Sequence, residues 1–280
     1  MLTEVKAYSS WASAPTLLLD QDGRPETDLV QIRNIEGLEP VKASVNTSLF
    51  GSVDGAAYTG ASVPSRNIVL TIHPNPDWHT WKYEDLRKLI YSYFMSKKPV
   101  RLVFYSDEDS PVEIFGIVES VDNSIFSKDQ EFNVSVICPD PYFTSLDPKV
   151  ITGQSIRSGG APRVVTYNGS VETGIRVKVS FSSGAAPTTI GIQVGDPKVS
   201  YFNVAATVGS TLYVDMSSVA MQKYIQNVSI GSGVITNLLS KMQEGSKWPL
   251  FEQGDNNFSV ITDQGVQDWE LSFYERFGGL

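Results

Sequence analysis

The stretch from Arg66 to Phe104 constrains the fold most, because it changes hydrophobic period twice within 39 residues. Arg66-Asn67-Ile68-Val69-Leu70-Thr71-Ile72 is β-branched and apolar, and Pro74 and Pro76 end it as a strand. Leu86, Leu89, Ile90, Tyr93 and Phe94 then recur at helical spacing, with Arg87, Lys88 and Ser92 on the other side. Thr80 is the expected N-cap, and Glu84 and Asp85 place negative charge in the first turn, where the helix dipole favours it. Lys97 and Lys98 are expected near the C-terminal end, with Pro99 as the stop, so the helix is read over about 80–97. Val100 to Tyr105 reads as a strand again. A helix with one apolar face has to cover a sheet, and its own flanking strands are the nearest one.

The next residues extend that sheet. Val112, Ile114, Gly116 and Val118 alternate with Glu113, Phe115, Ile117 and Glu119, after the polar turn Asp107 to Pro111. Phe132, Val134, Val136 and Cys138 alternate with Glu131, Asn133, Ser135 and Ile137. Cys138-Pro139-Asp140-Pro141-Tyr142-Phe143 takes the chain out of the sheet, since two prolines cannot sit in a central strand.

This succession of an Arg-x-Ile-x-Leu-x-Ile strand, an amphipathic helix, a three-strand meander and the Cys-Pro-Asp-Pro-Tyr-Phe exit resembles the distal tail proteins of long-tailed, non-contractile bacteriophages. Gly254-Asp255-Asn256-Asn257-Phe258 and Phe273-Tyr274-Glu275-Arg276-Phe277-Gly278-Gly279-Leu280 are similar to that family's C-terminal domain. The resemblance is firm from Val30 to Phe143 and looser beyond. It implies a structural protein of the virion, assembled in the host cytoplasm, whose first domain forms a homohexameric ring at the phage tail tip. It further implies as partners the major tail tube protein, the tail-tip hub or a tail-associated lysin or fibre protein, and the tape measure protein. DNA would pass through the ring without specific binding. The second domain would be a galectin-like or carbohydrate-binding-module-like sandwich.

The opening residues are read as strands and loops. Thr16-Leu17-Leu18-Leu19 is a short strand, Leu29 to Asn34 another, and Val41 to Val45 a continuation after the Gly37-Leu38-Glu39-Pro40 break. Gly51 to Pro64 is rich in Gly, Ala and Ser. A phosphate-binding loop would need a lysine and a following helix, and this stretch has neither. A long hairpin or loop that packs against another subunit fits better, and the resemblance assigns the region to the ring-forming part of the first domain.

With 22 glycines and 15 prolines in 280 residues and little helical composition elsewhere, the fold class is mostly β. The division read from the sequence is an N-terminal β domain with one amphipathic α-helix over 1–150, a linker over 151–162, and a C-terminal β-sandwich over 163–280. In the sandwich, Val164 to Tyr167, Ile175 to Phe181, Thr188 to Val194, Tyr201 to Val204, Thr211 to Val214, Phe258 to Ile261 and Trp269 to Tyr274 are the strand candidates. Val219 to Val228 is spaced for one or two helical turns, and Leu238 to Trp248 for a loop or short helix.

The net charge of −9 argues against a general nucleic-acid binder. It is concentrated in residues 1–150, where 13 Lys+Arg face 21 Asp+Glu, a net of −8. This is either a solvated face or a functional acidic surface. One cysteine, Cys138, allows no intramolecular disulfide and is read as a buried structural thiol. The start of the sequence lacks signal-peptide character, and no apolar run reaches the roughly 18–20 residues of a membrane span, so no membrane is expected.

Chemistry is sparse. His73 and His79 are the only histidines, they straddle two prolines, and no acidic cluster completes a metal set. No Gly-x-Ser-x-Gly elbow is present. Trp78 and Trp81 flank the helix start as a staple, while Trp248 with Pro249 and Phe251 is a candidate sugar platform. No catalytic, cofactor-binding or metal residue is assigned. The alternative to a tail-tip protein is a carbohydrate-binding module protein that contacts host cell-wall saccharide, and a hydrolase ranks third.

Overall fold

Alternating apolar residues bury one face of Arg66–Pro74, Val112–Asn123 and Phe132–Cys138, the strands with the clearest period in the first half. In the computed structural model, residues 2–9, 16–20, 29–51, 54–76, 81–107, 110–123, 130–181, 187–195, 199–203, 208–216, 223–229 and 231–280 are described. By compactness the chain divides into two units, Met1–Leu146 with Phe277–Leu280, and Asp147–Arg276.

The first unit contains β1 (Leu2–Tyr8), β2 (Thr16–Asp20), β3 (Val30–Glu36), β4 (Ser44–Leu49), β5 (Ala56–Ser62), β6 (Arg66–Pro74), α1 (Tyr83–Tyr93), β7 (Pro99–Ser106), β8 (Val112–Asn123), β9 (Phe132–Cys138) and β10 (Phe143–Ser145). Strands β8, β7, β1, β2, β3, β6 and β9 pair in that order, and β9 pairs back onto β8. The circuit is therefore closed, a seven-stranded barrel, and only β2–β3 is parallel. Register shifts between Ile32 and Asn34 and between Val118 and Ser120 supply the local twist that closure needs.

The barrel interior is filled by Val5, Ala7, Ile32, Ile68, Leu70, Ile72, Leu102, Ile114, Val118, Val134 and Val136. Gly116 falls on this inner face. A Cβ there would lie 2.4 Å from Val136 Cγ1 and 2.9 Å from Cys138 Sγ, so its missing side chain makes room for both. The stripe on α1 joins the same core through Ile90, Tyr93 and Phe94, while Leu89 is only partly buried against it. Tyr83 stacks on Phe132 with ring centroids 6.4 Å apart, and Tyr91 meets the same ring edge-on at 5.9 Å.

The helix is shorter than its periodicity suggests. Lys82 is the N-cap and makes no side-chain capping bond, Phe94 is the C-cap, and the last turn contains no basic residue. Thr80, the expected cap, lies outside the described residues. Lys97 adopts φ +68°, and its N–H donates to Val118 O at 2.8 Å. The helix thus ends at Tyr93 because the chain reverses onto β8, and Pro99 opens β7 instead of stopping α1. Val41 to Val45 does not resume β3 either, because β4 belongs to a separate two-stranded sheet with β5.

The second unit contains β11 (Lys149–Gln154), β12 (Arg163–Tyr167), β13 (Thr173–Gly174), β14 (Arg176–Phe181), β15 (Thr189–Val194), β16 (Val199–Asn203), β17 (Ser210–Asp215), β18 (Tyr224–Ser229), β19 (Ile235–Asn237), β20 (Leu250–Phe251), β21 (Gly254–Thr262) and β22 (Asp268–Phe273). A six-stranded sheet (β11-β22-β14-β17-β18-β19) and a four-stranded sheet (β12-β21-β15-β16) enclose one core, a β-sandwich. Phe251, Phe258, Phe273, Tyr167 and Trp269 form its aromatic centre. The Tyr167 hydroxyl donates to Val171 O at 2.6 Å and accepts from the Arg276 N–H at 2.9 Å, which satisfies the one polar atom of that ring.

The structure differs from two local expectations. Within Val219 to Val228, the described part from Tyr224 onward is strand, because each residue of β18 pairs with β17. Much of the stretch read as a linker, 151–162, is held by hydrogen bonds: β11 pairs along its length with β22, and Ser155 and Ile156 donate to Gln267 O and Val260 O, each at 2.8 Å. Leu239–Lys241 is a single 3-10 turn. A last short strand, β23 (Arg276–Phe277), extends the first unit's sheet beside β10.

Candidate assembly interface

The described residues singled out for chemistry include several packing groups. Cys138 is fully buried on the barrel's inner face, and burial pushes its thiol up to about 12, so at neutral pH it is a protonated packing group. His73 is half-buried at the end of β6, and His79 and Trp78 lie outside the described residues. Asp107 is exposed in its turn. Among the described residues no group of three His, Cys, Asp or Glu side chains could hold a metal ion. The Trp248–Phe251 platform is not formed. Phe251 is fully buried in the sandwich core, and Trp248 packs partly against that core with Lys223 Nζ 5.7 Å from its ring centre. Two clefts of the second unit measure about 390 and 400 Å³. The first is lined by Arg157, Thr189, Ile261 and Asp263 without an aromatic ring, and the second includes Trp269, whose ring belongs to the sandwich core.

A different feature stands out in the first unit. Strands β4 and β5 form a two-stranded arm outside the barrel, with a bulge between Asn46 and Thr47 and Gly55 at φ +101° in its turn. Cross-strand partners point to the same face of a ribbon. Val45 opposes Ala61, Thr47 opposes Tyr58 and Leu49 opposes Ala56, so these six side chains share one face. Ser44, Asn46 and Ser48, opposite Ser62, Gly60 and Ala57, share the other. The arm is therefore amphipathic.

Among the described residues of the first unit, none covers its apolar face. Val45 is 58%, Tyr58 68% and Leu49 84% exposed, with Phe50 at 60% beside them. Asp54 is the only charged residue between Ser44 and Ser62, which matches the charge-depleted centre of a protein interface. A lone two-stranded ribbon is at best marginally stable in water. Burying a large apolar side chain is worth roughly 1.5–3 kcal/mol, so covering this face would supply several kcal/mol. The sequence reading of Gly51 to Pro64 is a hairpin or loop packing against another subunit, and the hairpin itself begins earlier, at Ser44. The two-faced character of the ribbon was hidden, because the bulge shifts the alternation that would reveal it.

No family model and no curated protein matches the sequence. The fold is similar to that of Dit (gp 19.1) from phage SPP1, which is described as a paradigm of hub adsorption apparatus in Gram-positive-infecting phages. That likeness covers 98% of this chain and 99% of the other, with a TM-score of 0.67 and 18% identity. A chain of the phage P2 baseplate in its activated conformation with calcium aligns over 100% of both chains, at a TM-score of 0.49 and 10% identity. The corresponding strontium structure gives 0.44 and 12%, over 96% of this chain and 97% of that one. The fold is thus the one that the resemblance to distal tail proteins implies.

Proposed function

We propose that this chain is a structural, non-enzymatic protein of a phage tail tip, and that its first unit assembles into a homohexameric ring through the β4–β5 arm. The observation that carries this reading is the arm's uncovered apolar face, on a fold shared with Dit of the SPP1 adsorption apparatus. The barrel core contains no residue of the arm. The arm does need a partner, and a second copy offers one at every assembly step. An arm on one copy that docks elsewhere on the next is a head-to-tail contact, which makes a ring when the rotation closes. In the virion the ring would join the tail tube to the hub with its fibre or lysin and leave a channel for DNA. The tube, hub and tape measure proteins are the partners this role requires.

Six copies of 30.7 kDa correspond to about 184 kDa. Native mass spectrometry of the full chain should show that species. Replacing residues 44–62 by a short Gly-Ser link should leave a folded monomer. An arm-deleted chain that assembles like the parent would overturn the role of the arm.

A further inference from the structure

The arm is attached to the barrel by two roots, residues 37–43 before β4 and 63–65 after β5. Arg66, the first residue of β6, directly follows the second root, and its side chain is buried, with 2% of the residue exposed. Its Nε donates to Pro141 O at 2.7 Å, and its Nη1 to Gly37 O at 2.5 Å and Glu39 O at 2.8 Å, both on the first root. Its Nη2 donates to Gly278 O. The guanidinium also lies 4.5 Å from the centre of the Phe143 ring. Its hydrogen-bond acceptors are thus backbone carbonyls from three separate chain segments.

The same point is closed from two further sides. Gly37 adopts φ +86°, and a Cβ on it would lie 2.0 Å from Asn67 O, so the first root runs directly against the backbone beside Arg66. Leu280 N–H donates to Leu38 O at 3.0 Å. A Cβ on Gly279 would come within 2.7 Å of Pro40 Cδ and 2.8 Å of Pro40 N, so that residue is pressed onto the root as well. Burying a charge among carbonyls is a costly way to fill volume, and an apolar side chain would fill it without desolvating a cation. What the planar fork adds is direction, because it fixes several carbonyls at set angles, which a lysine ammonium cannot do.

We propose that Arg66 is the positioning residue of the arm: with Gly278–Leu280 it clasps the two roots into one base, so that the β4–β5 arm leaves the barrel at a set angle. The proposal rests on the reading of the arm as the assembly element. A ring closes only if every copy presents its arm in the same direction, and an arm already held in that direction loses less freedom on docking. The segment Gly278–Leu280 therefore belongs to the arm's base.

The test compares the full chain with its Arg66→Lys and Gly279→Ala variants, using hydrogen exchange by residue and the concentration dependence of self-association. Amides of Leu38, Glu39 and residues 41–43 should exchange at least tenfold faster in both variants, while those of β6 and β9 keep the parent's rates. Self-association should weaken at least tenfold. Root amides that exchange as in the parent would overturn the proposal. So would barrel amides that accelerate as much as the roots, since Arg66 would then be a general core residue. If Arg66→Lys does not fold, Gly279→Ala decides alone, because it leaves the guanidinium and the barrel side chains in place. The arm-deleted chain separates the two readings: its unchanged self-association would remove the assembly role, while root exchange in Gly279→Ala still decides the clasp.

Discussion

At the scale of single residues, burial sorts side chains that sequence spacing treats as equal. Leu89 and Ile90 both belong to the helical stripe, yet Ile90 is fully buried in the barrel core and Leu89 only flanks it. We predict that Ile90→Ala costs about 2–5 kcal/mol in chemical denaturation and Leu89→Ala clearly less, since cavity cost follows how enclosed the lost methyls were. Equal losses would show that the helix is seated differently. Cys138 gives a second prediction. Its folded pKa of about 12 lies above the ordinary thiol value, so ionisation disfavours the folded state. That part of the stability is complete below the unfolded thiol's pKa near 8.5–9 and is lost as pH rises toward 12. In the native protein at pH 8 the thiol should resist maleimide for hours and react at once when the chain is unfolded. Rapid native labelling would contradict its place on the inner face.

At the scale of elements, pairing partners decide what composition leaves open. Thr152 to Gly160 is rich in small and polar residues and reads as a linker, but β11 is a full edge strand on β22 and Ile151 packs on the sandwich core. We predict that a fragment of residues 147–276 unfolds cooperatively, whereas one of residues 163–276 melts lower or fails to fold. It would lose the β11 ladder and the Ser155–Thr262 hydroxyl contact of 3.0 Å. Equal melting temperatures would mean that the edge strand adds nothing. The helix boundary carries the same lesson. Leu86 to Phe94 was legible from period alone, but its end was set by the left-handed turn at Lys97 and that residue's bond to β8, a contact 21 positions away.

At the scale of the whole molecule, charge bears on the role proposed for the ring. The net −8 of residues 1–150 would be repeated six times around one axis, which disfavours retention of DNA phosphates along a channel. We predict that the assembled full chain shows no salt-sensitive DNA binding at physiological ionic strength. A fluorescence anisotropy titration with duplex DNA checks this. Tight binding that weakens steeply with salt would contradict a conduit through which DNA slides.

The sequence by itself determined the class of each element wherever the period was long and clean. The β6–α1–β7 succession, the alternations of β8 and β9, and the chain's exit at Cys138–Phe143 were all legible, because burial of one face imposes a period that residues display locally. Only the tertiary structure decided the rest. Closure of the barrel depends on β9 pairing with both β6 and β8, and register between distant strands leaves no mark in either strand alone. Phe251 looked available for a ligand until the aromatic core claimed it. Arg66 looked like the polar start of a strand, and became a clasp only when Gly37, Pro141 and Gly278, up to 212 positions away, brought their carbonyls to it. Backbone carbonyls are the same in every residue, so a site built from them has no sequence signature.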